Sequence, residues 1–295
     1  MRVLVTGANG FVGHPLVEAL SAVGHEVFGV IRPDQGPKST LMNVIEMNLN
    51  EIDLSRLPSH VDAVVTLAQS PYFRDFPSRS DDIFSVNVTA NFKIFDWAAS
   101  NGVKIFIHVS SGGVYGGKLG EVLSEDQPLS VDSPLGFYLG SKLCSEIIFQ
   151  NYAGFFDTSV VLRPFFIYGP NQNKDMFVRR IIDNVASKKP IFLQGKDGLR
   201  FNPVYIEDMV SAVIESFGLK GRHIINVGGP DVLSLRQLAN EVGEYLGIAP
   251  IFEEKEGSPV DHVGNISQSL DKLKCRMNSF SDGLHKTLKI DGLIL

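Results

Sequence analysis

A chain of 295 residues with 44% hydrophobic content can bury a full core, as one large domain or two closely joined ones. Its net charge of −6 contains no block of like charges, which argues against a nucleic-acid or membrane-surface role. Cys144 and Cys275 form no spaced set and read as reduced buried thiols, the seven histidines show no metal-ligand spacing, and no apolar stretch reaches membrane-spanning length. With no basic and apolar leader before Val3-Leu4-Val5, a soluble cytoplasmic protein without a metal site is expected.

Short β-type runs alternate with helical patterns through the first half, the pattern of a parallel sheet covered by helices. Arg2–Thr6 reads as a buried strand, and Val12, Leu16, Leu20 and Val23 recur after it at helical spacing. Glu26–Ile31 is a second strand, while Ala63–Ala68 and Lys104–Val109 are continuous and apolar like central strands. Ile83–Ser100 is expected as one helix with Phe92, Phe95 and Trp97 in the core, and Ser159–Arg163 as a strand that Pro164 closes. Beyond it the alternation loosens. Helices are expected at Asp175–Ser187, Asp208–Gly218 and Ser234–Gly247, strands at Ile191–Leu193, Phe201–Ile206 and Ile224–Val227. The fold expected is Rossmann-type: a doubly wound parallel α/β sheet with a smaller mixed α/β substrate lobe. Residues 1–165 and 204–227 form the dinucleotide-binding domain in that division, and 166–203 and 228–295 the lobe.

Gly7-Ala8-Asn9-Gly10-Phe11-Val12-Gly13 lies between the first strand and the first helix. Glycines at this spacing are weak evidence alone, but in that context they allow a tight turn and close approach of a pyrophosphate to backbone. The helix N-terminus then offers free N–H groups and a positive dipole end. At the end of the second strand stands Ile31-Arg32, where an acidic residue would bind ribose hydroxyls. A guanidinium there suits a ribose 2′-phosphate, aided by Lys38 and Ser39, so NADP(H) is favoured with NAD(H) as the alternative.

Tyr138 and Lys142 are four residues apart on an expected helix and share a face. An ammonium beside a phenol favours phenolate, which would make Tyr138 a usable acid or base near neutrality. Ser111, in the Ser110-Ser111 pair ending a central strand, can hydrogen-bond the same substrate oxygen. Lys142 would also reach the nicotinamide ribose. The ordered set of cradle, strand-end serine and Tyr/Lys helix describes a hydride-transfer site. His108, on a buried strand, reads as structural.

These residues resemble the extended short-chain dehydrogenase/reductases, the NAD(P)-dependent epimerase/dehydratase group that mostly modifies nucleotide sugars, over nearly the whole chain. Ser110-Ser111-Gly112-Gly113-Val114-Tyr115-Gly116 is similar to the catalytic-serine loop and puts the serine at Ser111; Tyr138, Ser141, Lys142 and Glu146 resemble the tyrosine helix. The resemblance implies that Gly7, Asn9, Gly10, Phe11, Val12, Gly13, Arg32, Asn48, Leu49, Leu67, Ala68, Asn87, Tyr138 and Lys142 contact the cofactor, with Asn48 and Leu49 at the adenine. It also implies a homodimer through Ile83–Ser100 and Tyr138–Ala153.

Departures narrow the chemistry. Gly112-Gly113 stand where sugar 4,6-dehydratases carry Asp-Glu, so dehydration is not expected. Phe166 replaces a sugar-nucleotide asparagine, and Arg200 lies one residue away from a usual diphosphate arginine, a shift that reverses a strand side chain. Phe165 is expected in the core; Phe166 and Phe192 are core or apolar pocket wall, and Glu253-Glu254-Lys255-Glu256 reads as a solvated loop. Ser111, Phe166, Phe192 and Arg200 are the substrate candidates. The leading expectation is ketoreduction at C4 of a nucleotide-linked sugar, with a 4-epimerase that keeps its NAD(P) as the alternative. A non-catalytic NADP(H) sensor is a lesser one.

Overall fold

Unbroken apolar runs build the central sheet. Val3-Leu4-Val5 and Ala63-Val64-Val65 are wholly buried, as strands covered on both faces must be. The computed structural model describes residues 1–117, 119–133 and 135–295. Its seven-stranded sheet runs in the order Gly221–Val227, Thr158–Pro164, Ile105–Val109, Ala63–Thr66, Arg2–Thr6, Glu26–Ile31, Asn43–Glu46. The pairings from Thr158–Pro164 across to Asn43–Glu46 are parallel, with Thr6 level with Thr66 and Thr66 level with His108. The chain order reverses beside Arg2–Thr6, so a crevice opens at the carboxyl ends of that strand and Ala63–Thr66, where ligands bind in doubly wound folds. This is the Rossmann-type architecture expected. Asn43–Glu46 was not foreseen: only Ile45 is buried on this edge, so it lacks an apolar run.

Two compact units make up the chain: Met1–Val114, Leu129–Arg163 and Val210–Ile225 in the first, and Tyr115–Pro128, Pro164–Met209 and Asn226–Leu295 in the second. Tyr115–Pro128, which the sequence division put in the first domain, groups with the second because Val122-Leu123 pairs with Val263-Gly264. In the first unit Phe95 meets Phe106 and Phe149 at ring-centroid distances of 5.3 and 5.1 Å, in a cluster with Leu4, Val64 and Val161.

The expected helix over 83–100 is three segments: Ser80–Phe84, a wide π-helical turn at Ser85–Ala90, and Asn91–Ser100. The last buries Asn91, Ile94, Phe95 and Ala98, a stripe that leaves Phe92 outside the core and 42% exposed.

The helix Gly136–Tyr152 carries two buried charges. Lys142 donates to the Val109 carbonyl at 3.0 Å, and Glu146 takes a forked pair of hydrogen bonds from Arg163 on Thr158–Pro164. The Arg163 and Glu146 side chains are 2% and 0% exposed.

The second unit is mixed α/β. Helix Phe177–Ala186 is followed by Pro190–Gln194, which pairs in parallel with Ile251–Lys255. Glu253-Glu254-Lys255 is therefore an exposed strand and not the loop expected: backbone pairing to residues 192–194 holds it without burying its charges. The expected strand at 201–206 shrinks to Arg200–Phe201, and helix Ile206–Ser216 begins where its last residue was placed. Helix Leu235–Leu246 starts on a capping box between Ser234 and Gln237, and Phe280–Ile290 is a terminal helix the sequence reading missed. Among the described residues, no helix is long and apolar enough to cross a membrane.

Glu146→Ala would remove the carboxylate from the buried Arg163 guanidinium, and the unfolding free energy from denaturant titration should fall by about 3–5 kcal/mol.

Candidate active site

The first strand ends at Thr6 and the chain turns at Gly7, with φ 70°. A Cβ added there would lie 2.9 Å from the Ala68 nitrogen, and one at Gly13 only 2.1 Å from the Gly7 carbonyl oxygen. Backbone thus meets backbone around Gly7, Gly10 and Gly13, and half-buried Phe11 and Val12 lead into helix Gly13–Ala22. A cradle without side chains at a helix N-terminus fits a dinucleotide pyrophosphate.

Residues around the second strand are more committed than expected. Asn9 is buried and its amide is used on the next loop, donating to Gly36 O at 2.8 Å and accepting from Lys38 N at 3.0 Å. It shapes the Gly36–Lys38 loop instead of reaching outward. Arg32 lies 3.6 Å from Asp34, and the Ser39 hydroxyl donates to Glu18 at 2.9 Å. Two of the three groups foreseen for a 2′-phosphate therefore already face carboxylates, which weakens that pocket.

On the far side, exposed Asn48 caps the turn at Leu49–Glu51, accepting from Asn50 N at 3.1 Å, and Leu49 is half-buried. Asn50 donates to one Asp82 oxygen at 2.7 Å, and the Ser70 hydroxyl donates to the other. Leu67 and Ala68 are half-buried, and Ala68 N donates to Thr6 Oγ1 at 3.3 Å. Asn87, expected to contact cofactor, is wholly buried. Its oxygen accepts from Ser70 N and its amide donates to Ser141 Oγ, both at 2.9 Å. The Ser141 hydroxyl donates in turn to the Tyr138 carbonyl at 2.7 Å. The wide turn at Ser85–Ala90 aims Asn87 this way, so its side chain ties the Leu67–Ser70 loop to the tyrosine helix.

Ser111 is half-buried and its Oγ accepts from Gly113 N at 3.1 Å. A Cβ at Gly113 would come within 2.6 Å of Leu139 Cδ2, so the serine loop packs tightly on the tyrosine helix. Lys142 sits one turn beyond Tyr138, and burial lowers its ammonium pKa to about 8. His108 is brought down to about 3 by burial and then by Lys142; its Nδ1 meets Thr66 Oγ1 at 2.8 Å, in keeping with a structural role. The phenol departs from expectation. Desolvation raises the Tyr138 pKa above its ordinary value, outweighing any help from Lys142. Its O–H donates to Gln69 Oε1 at 2.9 Å, and Phe73 packs on the ring at 5.3 Å. Gln69 was missed, although it directly follows the Leu67-Ala68 pair already placed beneath the cofactor.

The remaining candidates lie in the second unit. Phe166, at φ 45°, packs against Phe177, Phe201 and His262 at 5.2, 4.9 and 5.9 Å. Phe165 is buried as expected, while Phe192 is 56% exposed on its strand and so not core. Strand alternation buries Phe201 and leaves the Arg200 side chain on the exposed face.

Comparison with known proteins agrees with this geometry. A UDP-glucose 4-epimerase of Mycolicibacterium smegmatis is 28% identical, with 98% of each chain covered. The structure of a UDP-glucuronic acid 4-epimerase from Bacillus cereus, in complex with UDP-glucuronic acid and NAD, superposes with a TM-score of 0.84 at 26% identity over 99% of each chain. MoeE5 in complex with UDP-glucose and NAD gives 0.84 at 26% identity over 98% of each. The family model described as NAD dependent epimerase/dehydratase family matches residues 3–228. With cradle, serine loop and tyrosine helix all inside that span, the chain belongs to this family, as an enzyme of the extended short-chain dehydrogenase/reductase type.

Proposed function

We propose that the protein is an NAD-dependent 4-epimerase of a nucleotide-linked sugar, a UDP-hexose or UDP-hexuronic acid. The observation that carries this reading is the loop after Ser111. Gly112 and Gly113 supply no acid or base for elimination, and a side chain at residue 113 would have to displace the Leu139 methyls. Hydride chemistry at a C–O carbon is what remains. The sequence reading leaned to net ketoreduction with NADPH; the occupied partners of Arg32 and Ser39 and the similarity to NAD-bound UDP-sugar epimerases favour the redox-neutral alternative.

Bound NAD supplies a hydride acceptor, and later a donor, at the sugar carbon. The Tyr138 Oη, ionised beside Lys142 with its own proton released to solvent, takes the proton of the C4 hydroxyl as that carbon is oxidised and returns it when the opposite face is reduced. Ser111 Oγ holds the same oxygen through both steps. Lys142, anchored on Val109, presents a cation near the nicotinamide ribose and works against, without cancelling, the rise that burial imposes on the phenol. Dinucleotide contacts are assigned to Gly7, Gly10, Phe11, Val12, Gly13, Asn48, Leu49, Leu67 and Ala68. Within the second unit, Phe166 is assigned to an aromatic wall with Phe177 and Phe201.

A homodimer is part of the proposal. Exposed Phe92 lies 6.4 Å from Tyr152, and Tyr152 lies 6.2 Å from Phe155, which is 66% exposed, making one aromatic patch beside the tyrosine helix.

Three outcomes are expected. Denaturing freshly purified protein should release NAD, and the intact protein should interconvert UDP-glucose and UDP-galactose, or the corresponding uronates, without added cofactor. Stoichiometric consumption of NADPH would instead restore the ketoreductase reading. Tyr138→Phe should lower kcat by roughly 10²–10⁴ while retaining dinucleotide; wild-type turnover would remove the assignment. Light scattering should show a dimer, and Phe155→Glu should shift it towards monomer.

A further inference from the structure

We propose that Gln69 is a positioning residue for the Tyr138 phenol, its side-chain amide holding the phenol neutral and aimed until a substrate oxygen takes its place. The inference rests on the role given to Tyr138 above.

Gln69 is exposed, so core packing does not hold its side chain; the Tyr138 bond is its side-chain contact in the structure. Its backbone is fixed from both sides. Ala68 abuts Gly7 and donates to Thr6 Oγ1. Ser70 is wholly buried, with its N–H on Asn87 and its hydroxyl on Asp82. The Asn87–Ser141–Tyr138 chain of hydrogen bonds joins the same loop to the tyrosine's own backbone. The amide and the phenol are thus set at 2.9 Å by two rigid supports, and Phe73 of the same loop closes one side of the ring.

In the orientation recorded, the amide oxygen accepts the phenol proton and stabilises the neutral form, and a phenolate would need the amide turned to present its Nε2–H. In that orientation Gln69 works against ionisation and Lys142 works for it. The charged or titratable groups nearby are Lys142, one turn along the helix, His108 on the adjoining strand, and Arg74, stacked on Phe73 at 5.1 Å. His108 is neutral near pH 7, and the group that touches the phenol oxygen is the uncharged amide of Gln69. A neutral acceptor shifts the phenol moderately and yields it readily to a substrate hydroxyl; a carboxylate at this place would hold it far more tightly.

The test is to titrate the Tyr138 phenol by the ultraviolet absorbance of phenolate, with NAD added, as the difference between each protein and its Tyr138→Phe counterpart. In Gln69→Ala the phenolate signal should appear at lower pH, by roughly half to one unit, as expected for one lost hydrogen bond. In Gln69→Glu it should appear at higher pH. The rising limb of the kcat–pH profile for UDP-sugar epimerisation should move in the same directions, with little change in KM. An unchanged phenolate onset in both variants overturns the proposal, whatever the enzyme turns over. Persistent turnover in Tyr138→Phe would remove the functional reading, yet the titration would still decide whether Gln69 governs the phenol.

Discussion

No side chain can stand at residue 7, and much of the first unit follows from that. The Gly7 backbone lies so close to Ala68 that the turn after the first strand and the loop after the fourth form one packed layer at the carboxyl ends of the sheet. This contact leaves bare backbone at the turn. It also fixes where the Leu67–Ser70 loop must run, and with it the position of Gln69 over the tyrosine. A methyl group at residue 7 would disturb the glycine cradle and the surroundings of the Tyr138 phenol together, though they belong to different stretches of chain.

The tyrosine helix adds a second constraint, in charge instead of volume. Lys142 and Glu146 are both buried one turn apart, yet each turns to a different strand end: Lys142 to the carbonyl that closes Ile105–Val109, Glu146 to Arg163 on Thr158–Pro164. Buried charges tolerate few alternative arrangements, because an unmatched one costs several kcal/mol. The two anchors therefore set the helix's rotation and its depth, and Tyr138 inherits both. Precision at the phenol derives from partners buried well below it.

Much of this was legible in the sequence because the residues involved act through spacing. The glycines of the cradle, Ser111, and the four-residue step from Tyr138 to Lys142 need only a strand or helix to become a site. What stayed hidden depends on three-dimensional neighbours. Asn87 reads in sequence as a ligand contact, and only the fold shows that its amide also joins Ser70 to Ser141. Arg32 looked like a phosphate clamp; Asp34 stands two residues on in the sequence, but only the fold shows that it faces Arg32 and that Glu18 meets Ser39 at the same corner. Gln69 carried no motif at all; only the fold brings it to the phenol. In the second unit, Ile251–Lys255 escaped notice because a strand held by one parallel partner needs no apolar face.

The wide turn at Ser85–Ala90 sets a rule about length. Such a turn is equivalent to one residue inserted into an α-helix. Its removal would rotate everything downstream by about 100°, taking Asn91, Ile94, Phe95 and Ala98 off the face that meets the core. The segment between the Asp82 carboxylate and Phe95 is thus counted to the residue. Substitutions within it can be absorbed, but a single deletion would have to choose between the active-site loop at one end and the aromatic core at the other.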